Sequence, residues 1–444
     1  MNFTAAYIPI GVGTFHLESA QNEFDKSIKL LKGIDENTAV PNEMLLTIDK
    51  LTAYLDTLTP DFVIVQNLTF ANAAYMNEVL KRFDCPILLW TLREPVIDGT
   101  RLRLNSLTGA FSAANSIKGF GRNFEYIFGS PDEENVQTKI KAVYAAAKLK
   151  KSMKSLKLLQ IGHTPQGFGF GRALDLDALK SFGVTVDSIE ARELIDRAKA
   201  YTNEEIAPYI EDSKKRITGL DKINGKNVED FARLYKSYKE YTEQNNIGAL
   251  ASRCWPDFFT AFGTPVCAVL GIINDLGIPC ACEADSYGAL TMFAANQLTG
   301  RSVFFGDPVS LDEKENTITF WHCGMAPCSL AREDTGAKAG LHCNRKIGPT
   351  LEFGCKAEPN VTIFRIGRKQ DGTFRFFLAK GSALDKPQQF YGTSIVVKTE
   401  NSSADIINKA VKEGWEPHYA VAMGDISAEI EALGNMLGIE VCKF

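Results

Sequence analysis

The chain has 444 residues, 45% hydrophobic and 23% charged, with a formal net charge of -5. That length exceeds one ordinary core and predicts two or three domains. The mild, mixed-sign charge excludes the basic footprint of a nucleic-acid or membrane-surface partner, and no apolar run reaches the ~20 residues of a spanning helix.

The start, "MNFTAAYIPIGVG", lacks the basic and long apolar regions of a secretory signal. From 1 to about 150, strands and helices alternate. "AAYIPIG", "FVIVQNL" and "PILLWTL" read as strands, with helical segments such as "FDKSIKLLKGI" and "AAYMNEVLKRF" between them. Strands that are apolar throughout and separated by helices imply a parallel sheet covered on both faces. The basic helix at 133–156 marks the first boundary. A second α/β unit follows, with "LKLLQIG", "VTVDSIE" and "IGALASRCW" as strands and "PVCAVLGIINDLG" as a helix closed by Gly277. After about 335 the texture changes: "VTIFRIGRKQDGTFRFFLAKG" is a hairpin around Gln-Asp-Gly, and "TSIVVKT" adds a strand. This part reads as a small antiparallel barrel or sandwich.

The expected fold is therefore α/β: two Rossmann-like, doubly wound domains, 1–154 and 155–278, followed by a β-rich, barrel-like domain at 279–444 that carries metal ligands. Ten cysteines stand singly or in short pairs, without the tandem CxxC of a zinc ribbon. They read as buried thiols in a reducing compartment, and a cytoplasmic location is expected.

The loop "GHTPQGFGFGRALDLDALK" follows a strand and opens a helix, with Gly167, Gly169 and Gly171 in it and Asp187 beyond. It resembles a dinucleotide loop only loosely, being too long and lacking the helix-packing third glycine. A loop beside a sugar or phosphate site and a plain αβ connection are the other readings.

"PCACEADSYGALTMF" places Glu283 and Asp285 where an apolar strand passes into a helix. Residues at i and i+2 on a strand share a face, so the two carboxylates are expected to converge on one point. Close carboxylates call for a cation or a shared proton. Of five histidines, His163, His322 and His418 adjoin apolar stretches. Oxygen ligands with one or two imidazoles suit Mn²⁺, Mg²⁺ or Co²⁺. The alternative is that Glu283 and Asp285 cap the following helix, Asp285 as N-cap.

Four stretches, "SRCWPDF", "GIPCACEADSYGALTM", "FWHCGMAPCSLA" and "EPHYAVAMGDISAEIEALGNMLGIEV", together resemble the L-fucose/L-arabinose isomerase superfamily, in particular its shorter fucose isomerase-like members. "LWTLREP" and "GTRLRLNSLTGA" are similar to the same group. The resemblance implies metal-dependent aldose–ketose isomerisation in a homo-trimer or homo-hexamer with the site at a subunit boundary. It also implies that Asp285 and His418 are metal ligands, that His322 is a further ligand or a substrate contact, and that Glu283 shares the carboxylate role. One departure stands out. Where fucose isomerases carry another catalytic glutamate, this chain has Cys267, so Asp257 or Glu283 is expected to substitute, or the acid/base pair is organised differently.

Moving a carbonyl from C1 to C2 requires two proton transfers through an enediol, with Glu283 and Asp285 as the expected acid/base groups and a divalent ion, Mn²⁺ first, holding the developing charge. Trp90, Arg93, Glu94, Arg101, Asn105 and Ser106 form a candidate substrate wall from the N-terminal domain, with core packing as the alternative for Trp90. Arg253 and Trp255 are further candidates. An arginine there would suit an anionic C6 substituent, so the expected substrate is a free hexose, a deoxyhexose or a C6-substituted sugar, a sulfonated one such as sulfoquinovose included. A sugar-binding sensor without turnover and a metal-dependent lyase or hydrolase are the competing readings.

Overall fold

A computed structural model describes residues 3–444. The chain divides into two compact units, Met1–Ser152 with Ala428–Ile439, and Met153–Ser427 with Glu440–Phe444. In the first unit β1 (Ala5–Ile10), β2 (Phe62–Asn67), β3 (Ile87–Thr91) and β4 (Glu125–Phe128) form a parallel sheet. The first three strands are buried along their whole length, which is why they read as unbroken apolar runs. The helices are α1 (Leu17–Ile34), α2 (Ile48–Leu55), α3 (Ala73–Arg82), α4 (Ser106–Gly119) and α5 (Glu134–Lys154). One face packs on α2, α3 and α4 through Leu51, Met76, Val79, Ala113 and Ile117. On the other, Phe24 of α1 stacks on Tyr7 and Tyr144 of α5 meets Phe62 edge-on. Both faces are covered as expected. The strand order, however, runs β1-β2-β3-β4 without the reversal of a doubly wound sheet. Right-handed crossovers that always step the same way put the helix entering the next strand on one side, as α2, α3 and α4 show, while α1 of the first crossover covers the other face.

The second unit begins with β5 (Lys157–Ile161), α6 (Asp175–Phe182), β6 (Thr185–Ile189), α7 (Ala191–Ala200), α8 (Asn203–Arg216), β7 (Ile217–Thr218) and α9 (Gly225–Gln244). It continues with β8 (Ala249–Ser252), α10 (Cys267–Asp275), β9 (Cys280–Cys282) and α11 (Ser286–Thr299). Its parallel sheet has the order β6-β5-β8-β9. The strand order reverses between β5 and β8, the kind of switch point at which a crevice forms beyond the carboxyl ends of parallel strands. Because β9 pairs with β8, this layer runs past residue 278.

The barrel strands are β10 (Phe304–Asp312), β11 (Thr317–His322), β12 (Ala337–Gly340), β13 (Thr350–Gly354), β14 (Glu358–Arg368), β15 (Phe374–Ala383) and β16 (Thr393–Thr399). After α12 (Ser403–Lys412) come β17 (Tyr419–Met423), α13 (Ser427–Leu437) and β18 (Glu440–Lys443). Strands β15-β14-β17-β10-β11-β16 are antiparallel neighbours, and pairing of β16 with β15 closes the ring. Of the two β architectures left open by the sequence, this is the barrel. Closure removes the exposed edges that a sandwich would have to protect. Strand β13 joins β16 and carries β12 and β7 outward, while β18 adds to β15.

Every residue of α11 from Ser286 to Ala295 is buried, because the helix lies between the second parallel sheet and barrel strands β14 and β17. Its N-terminus is where the two layers meet. Among the described residues, no helix is long and apolar enough to cross a membrane.

Candidate active site

Strand β9 stops at Cys282, one residue before the first carboxylate. Glu283 and Ala284 have φ of 59° and 55°, in the left-handed region that disfavours side chains. The expected strand geometry, with both carboxylates on one face, is therefore replaced by a strained turn. Asp285 then caps α11, accepting the Gly288 N–H at 2.8 Å. The capping alternative holds for Asp285, and the turn sends Glu283 elsewhere.

The two carboxylates reach one imidazole from opposite sides. His418 precedes β17 and is 1% exposed. Its Nδ1 lies 2.9 Å from Asp285 Oδ2, and its Nε2 lies 2.9 Å from Glu283 Oε2. Burial works against a charged ring, but hydrogen bonds to Asp285 and Glu283 prevail and push its pKa up to about 10. Asp285 is itself held by Arg365 of β14, whose guanidinium donates to Oδ2 at 2.6 Å and to Oδ1 at 3.0 Å. Both residues are fully buried. Burial alone would raise the Asp285 pKa; Arg365 and His418 hold it well below the usual range. Its two oxygens accept from Gly288, twice from Arg365 and from His418.

A third carboxylate was not anticipated. Asp307 of β10 places Oδ1 3.5 Å from His418 Nε2, and burial raises its pKa. Glu283 moves the other way: burial opposes its charge, yet the bond to His418 lowers its pKa. His322 ends β11, so three adjacent barrel strands (β17, β10 and β11) deliver His418, Asp307 and His322 at one end. Ligand atoms of Glu283, His322 and His418 lie within 4.8 Å of one another. His322 Nδ1 accepts the Cys323 N–H at 2.9 Å, and burial lowers its pKa. A neutral ring accepting at Nδ1 carries its proton on Nε2. That buried Nε2 has no partner among the described residues.

The glycine-rich loop after β5 closes the site. Phe168 and Phe170 lie 6.3 and 5.6 Å from the His418 ring, and Phe305 lies 5.0 Å from it. A Cβ on Gly171 would sit 2.8 Å from Asp285 Cα, so the close approach of this loop requires glycine there. Trp255, in the loop after β8, donates its indole N–H to Glu283 Oε1 at 3.1 Å. A cavity of about 270 Å³ opens beside it, lined by Trp255, Glu283, His322, His342, Asn344 and Arg345 together with Cys254, Cys267, Cys282 and Cys323. Cys267, standing where a glutamate was expected, thus faces this cavity. Asp257 is ion-paired to Arg253 at 2.7 Å.

The remaining predicted contacts belong to the first unit. Trp90 is fully buried and donates its N–H to Gly129 O at 2.8 Å. Arg93 makes two bonds of 2.7 and 2.8 Å to Glu133. Glu94 accepts backbone N–H groups of residues 103–105. Ser106 is buried and accepts the Leu92 N–H while donating to Asn67 O. Arg101 is exposed and donates to Thr14 O, and Asn105 precedes α4 at φ 52°.

Sequence reasoning missed Asp307 and Arg365, although each had a local signal. Asp307 interrupts the apolar run "SVFFGDP", and Arg365 stands between apolar neighbours in "TIFRIG". A charge inside such a run is costly to bury unless it meets a partner.

Residues 322–444 match the family model for the C-terminal domain of L-fucose isomerase. Barrel and site thus define the class, an aldose–ketose isomerase. Across nearly its whole length the chain is 56% identical over 439 residues to a sulfoquinovose isomerase of Clostridium sp. (strain MSTE9), covering 99% of this chain and 98% of that protein. Sulfoquinovose isomerases of Priestia aryabhattai and Alkalicoccus urumqiensis are each 36% identical over 443 residues, covering 99% of this chain and 98% and 99% of theirs. The chain belongs to the fucose isomerase-like family.

Proposed function

We propose that this enzyme interconverts sulfoquinovose, a hexose carrying a sulfonate on C6, and the corresponding ketose. Full-length similarity to relatives bearing that name supports the substrate. The chemistry rests on one observation: Glu283 and Asp307 place carboxylate oxygens 2.9 and 3.5 Å from His418 Nε2. Two carboxylates at one point can divide the roles of acid and base between them.

Two carboxylate oxygens and an imidazole nitrogen around one point fit a divalent cation of the Mn²⁺, Mg²⁺ or Co²⁺ kind. Glu283, Asp307 and His418 would hold it. Asp285, with its oxygens already engaged, orients the ring through Nδ1, in the manner of a carboxylate behind a metal-bound histidine. When bound, the ion supplies Lewis acidity toward the sugar's O1 and O2.

The side chains supply the proton transfers. Glu283, its other oxygen steadied by Trp255, removes the C2 proton to give the enediol. A carboxylic acid of the pair returns a proton to C1 as O2 gives up its hydroxyl proton and O1 gains one. His322 Nε2–H donates to a sugar oxygen, which satisfies the orphaned group. Phe168, Phe170 and Phe305 exclude water. Arg101 and Asn105 are left to meet the sugar across a subunit boundary in a homo-trimer or homo-hexamer, a state that light scattering measures.

The test is proton NMR of the enzyme with sulfoquinovose in deuterated buffer, with divalent ion added or chelated. Ketose carrying solvent deuterium, formed only when ion is present, is expected. Turnover of other aldoses with none of sulfoquinovose would refute the substrate.

A further inference from the structure

We propose that Arg345 recognises the sulfonate of the substrate, a specificity role that rests on reading the cavity beside Glu283 as the sugar site. The argument begins with the bookkeeping of arginines around that site. Arg253, the sequence-level candidate for an anion, is neutralised by Asp257 at 2.7 Å. Arg365 is fully buried on Asp285, and Arg368 pairs with Asp177 at 2.8 Å. Arg345 lines the cavity with Glu283 and His322 and, among the described residues, has no carboxylate partner.

Two aromatic rings hold it instead. Its guanidinium carbon lies 4.6 Å from the centre of the Phe259 ring and 5.7 Å from that of Trp255. Stacking of this kind fixes the planar fork without consuming its N–H donors, so little freedom is lost when an anion arrives. Trp255 connects the two ends of the site, because its N–H is on Glu283 while its face carries Arg345. A hexose with C1 and C2 at Glu283 has C6 as its far end. Lys346, next in the chain and lying 5.5 Å from the Tyr391 ring centre, adds a second cation without a carboxylate partner. The Asn344 side chain on the same wall supplies amide donors. An unpaired, half-buried guanidinium beside a pocket is what a group of three charged oxygens requires and what a neutral hydroxymethyl does not.

The experiment uses the full-length enzyme and its Arg345→Gln and Arg345→Lys variants, with sulfoquinovose and with 6-deoxyglucose, the same sugar lacking the sulfonate. For Arg345→Gln, KM for sulfoquinovose should rise roughly 100-fold, the scale of one lost bidentate charged contact, with a much smaller change in kcat. The preference for sulfoquinovose over 6-deoxyglucose should collapse by the same factor, and Arg345→Lys should fall between. Residual turnover of 6-deoxyglucose shows that the variant is folded, and the split between KM and kcat decides the outcome where that turnover is slow. A preference within about 3-fold of the wild type would overturn the assignment. Failure of the substrate reading looks different, since the wild-type enzyme itself would then show no preference for the sulfonated sugar.

Discussion

Replacing Arg365 by methionine isolates the charge that holds His418 in place. The guanidinium is fully buried and gives Asp285 two of its four hydrogen bonds, at 2.6 and 3.0 Å. Methionine fills comparable space but leaves a buried carboxylate facing only His418 and the Gly288 N–H. Removing one member of a buried ion pair costs about 3–5 kcal/mol. Because the bond between His418 Nδ1 and Asp285 remains, the lower end applies, about 3 kcal/mol at pH 7. Urea unfolding followed by circular dichroism reads this as a fall in midpoint. The double variant Asp285→Asn/Arg365→Met removes both charges and should lose less than the sum of the singles, by about 2 kcal/mol or more. Acid adds a signed test. A carboxylate whose folded pKa is depressed contributes stability that is full above its unfolded value of about 3.9 and is lost as the pH falls through the folded value. Arg365→Met brings the Asp285 pKa back up, so the variant should begin to lose stability at a higher pH than the wild type. A loss below about 1 kcal/mol, strict additivity in the double variant, or an unchanged acid transition would each refute the reasoning.

Asp307→Asn should lower kcat by roughly 10²–10⁴-fold, as steady-state kinetics will show, because it removes an acid/base group and keeps its shape. Gly171→Ala places a methyl 2.8 Å from Asp285 Cα, a backbone atom that cannot yield, and should cost about 1–3 kcal/mol in urea unfolding along with much of the turnover. Cys343 should be alkylated by iodoacetamide before the other thiols at neutral pH. The hydrogen bond from Cys323 brings its pKa down to about 6, so peptide mapping should show a rate that climbs through that pH and then levels.

How far the sequence disclosed this molecule depends on the range of the interaction. Period-2 alternation in 358–383 was enough for the hairpin of β14 and β15, and unbroken apolar runs were enough for the parallel strands. Glu283, Asp285, His322 and His418 stood out because polar groups at the ends of apolar strands need a reason, and the structure gathers all four. What stayed hidden is set by distant partners. Asp285 meets Arg365 and His418 across 80 and 133 residues, and no local pattern pairs them. The left-handed turn at Glu283 and Ala284 was hidden too, since neither residue type announces a positive φ. The order of the first sheet was illegible because a straight and a reversed order share the same alternation of strand and helix. The glycine loop was noticed, but its glycine serves contact with Asp285 and its phenylalanines wall the His418 ring, and neither role requires a dinucleotide.

The most direct measurement is the rate at which the C2 hydrogen of sulfoquinovose is lost, followed by proton NMR, for the wild-type enzyme and for Glu283→Gln. Expected is ready loss of the C2 signal with ketose formation in the wild type, and a fall of at least ~10²-fold in both for the variant, with sugar binding retained in calorimetry. Removal of the C2 hydrogen by Glu283→Gln within about 10-fold of the wild-type rate would show that another group is the base.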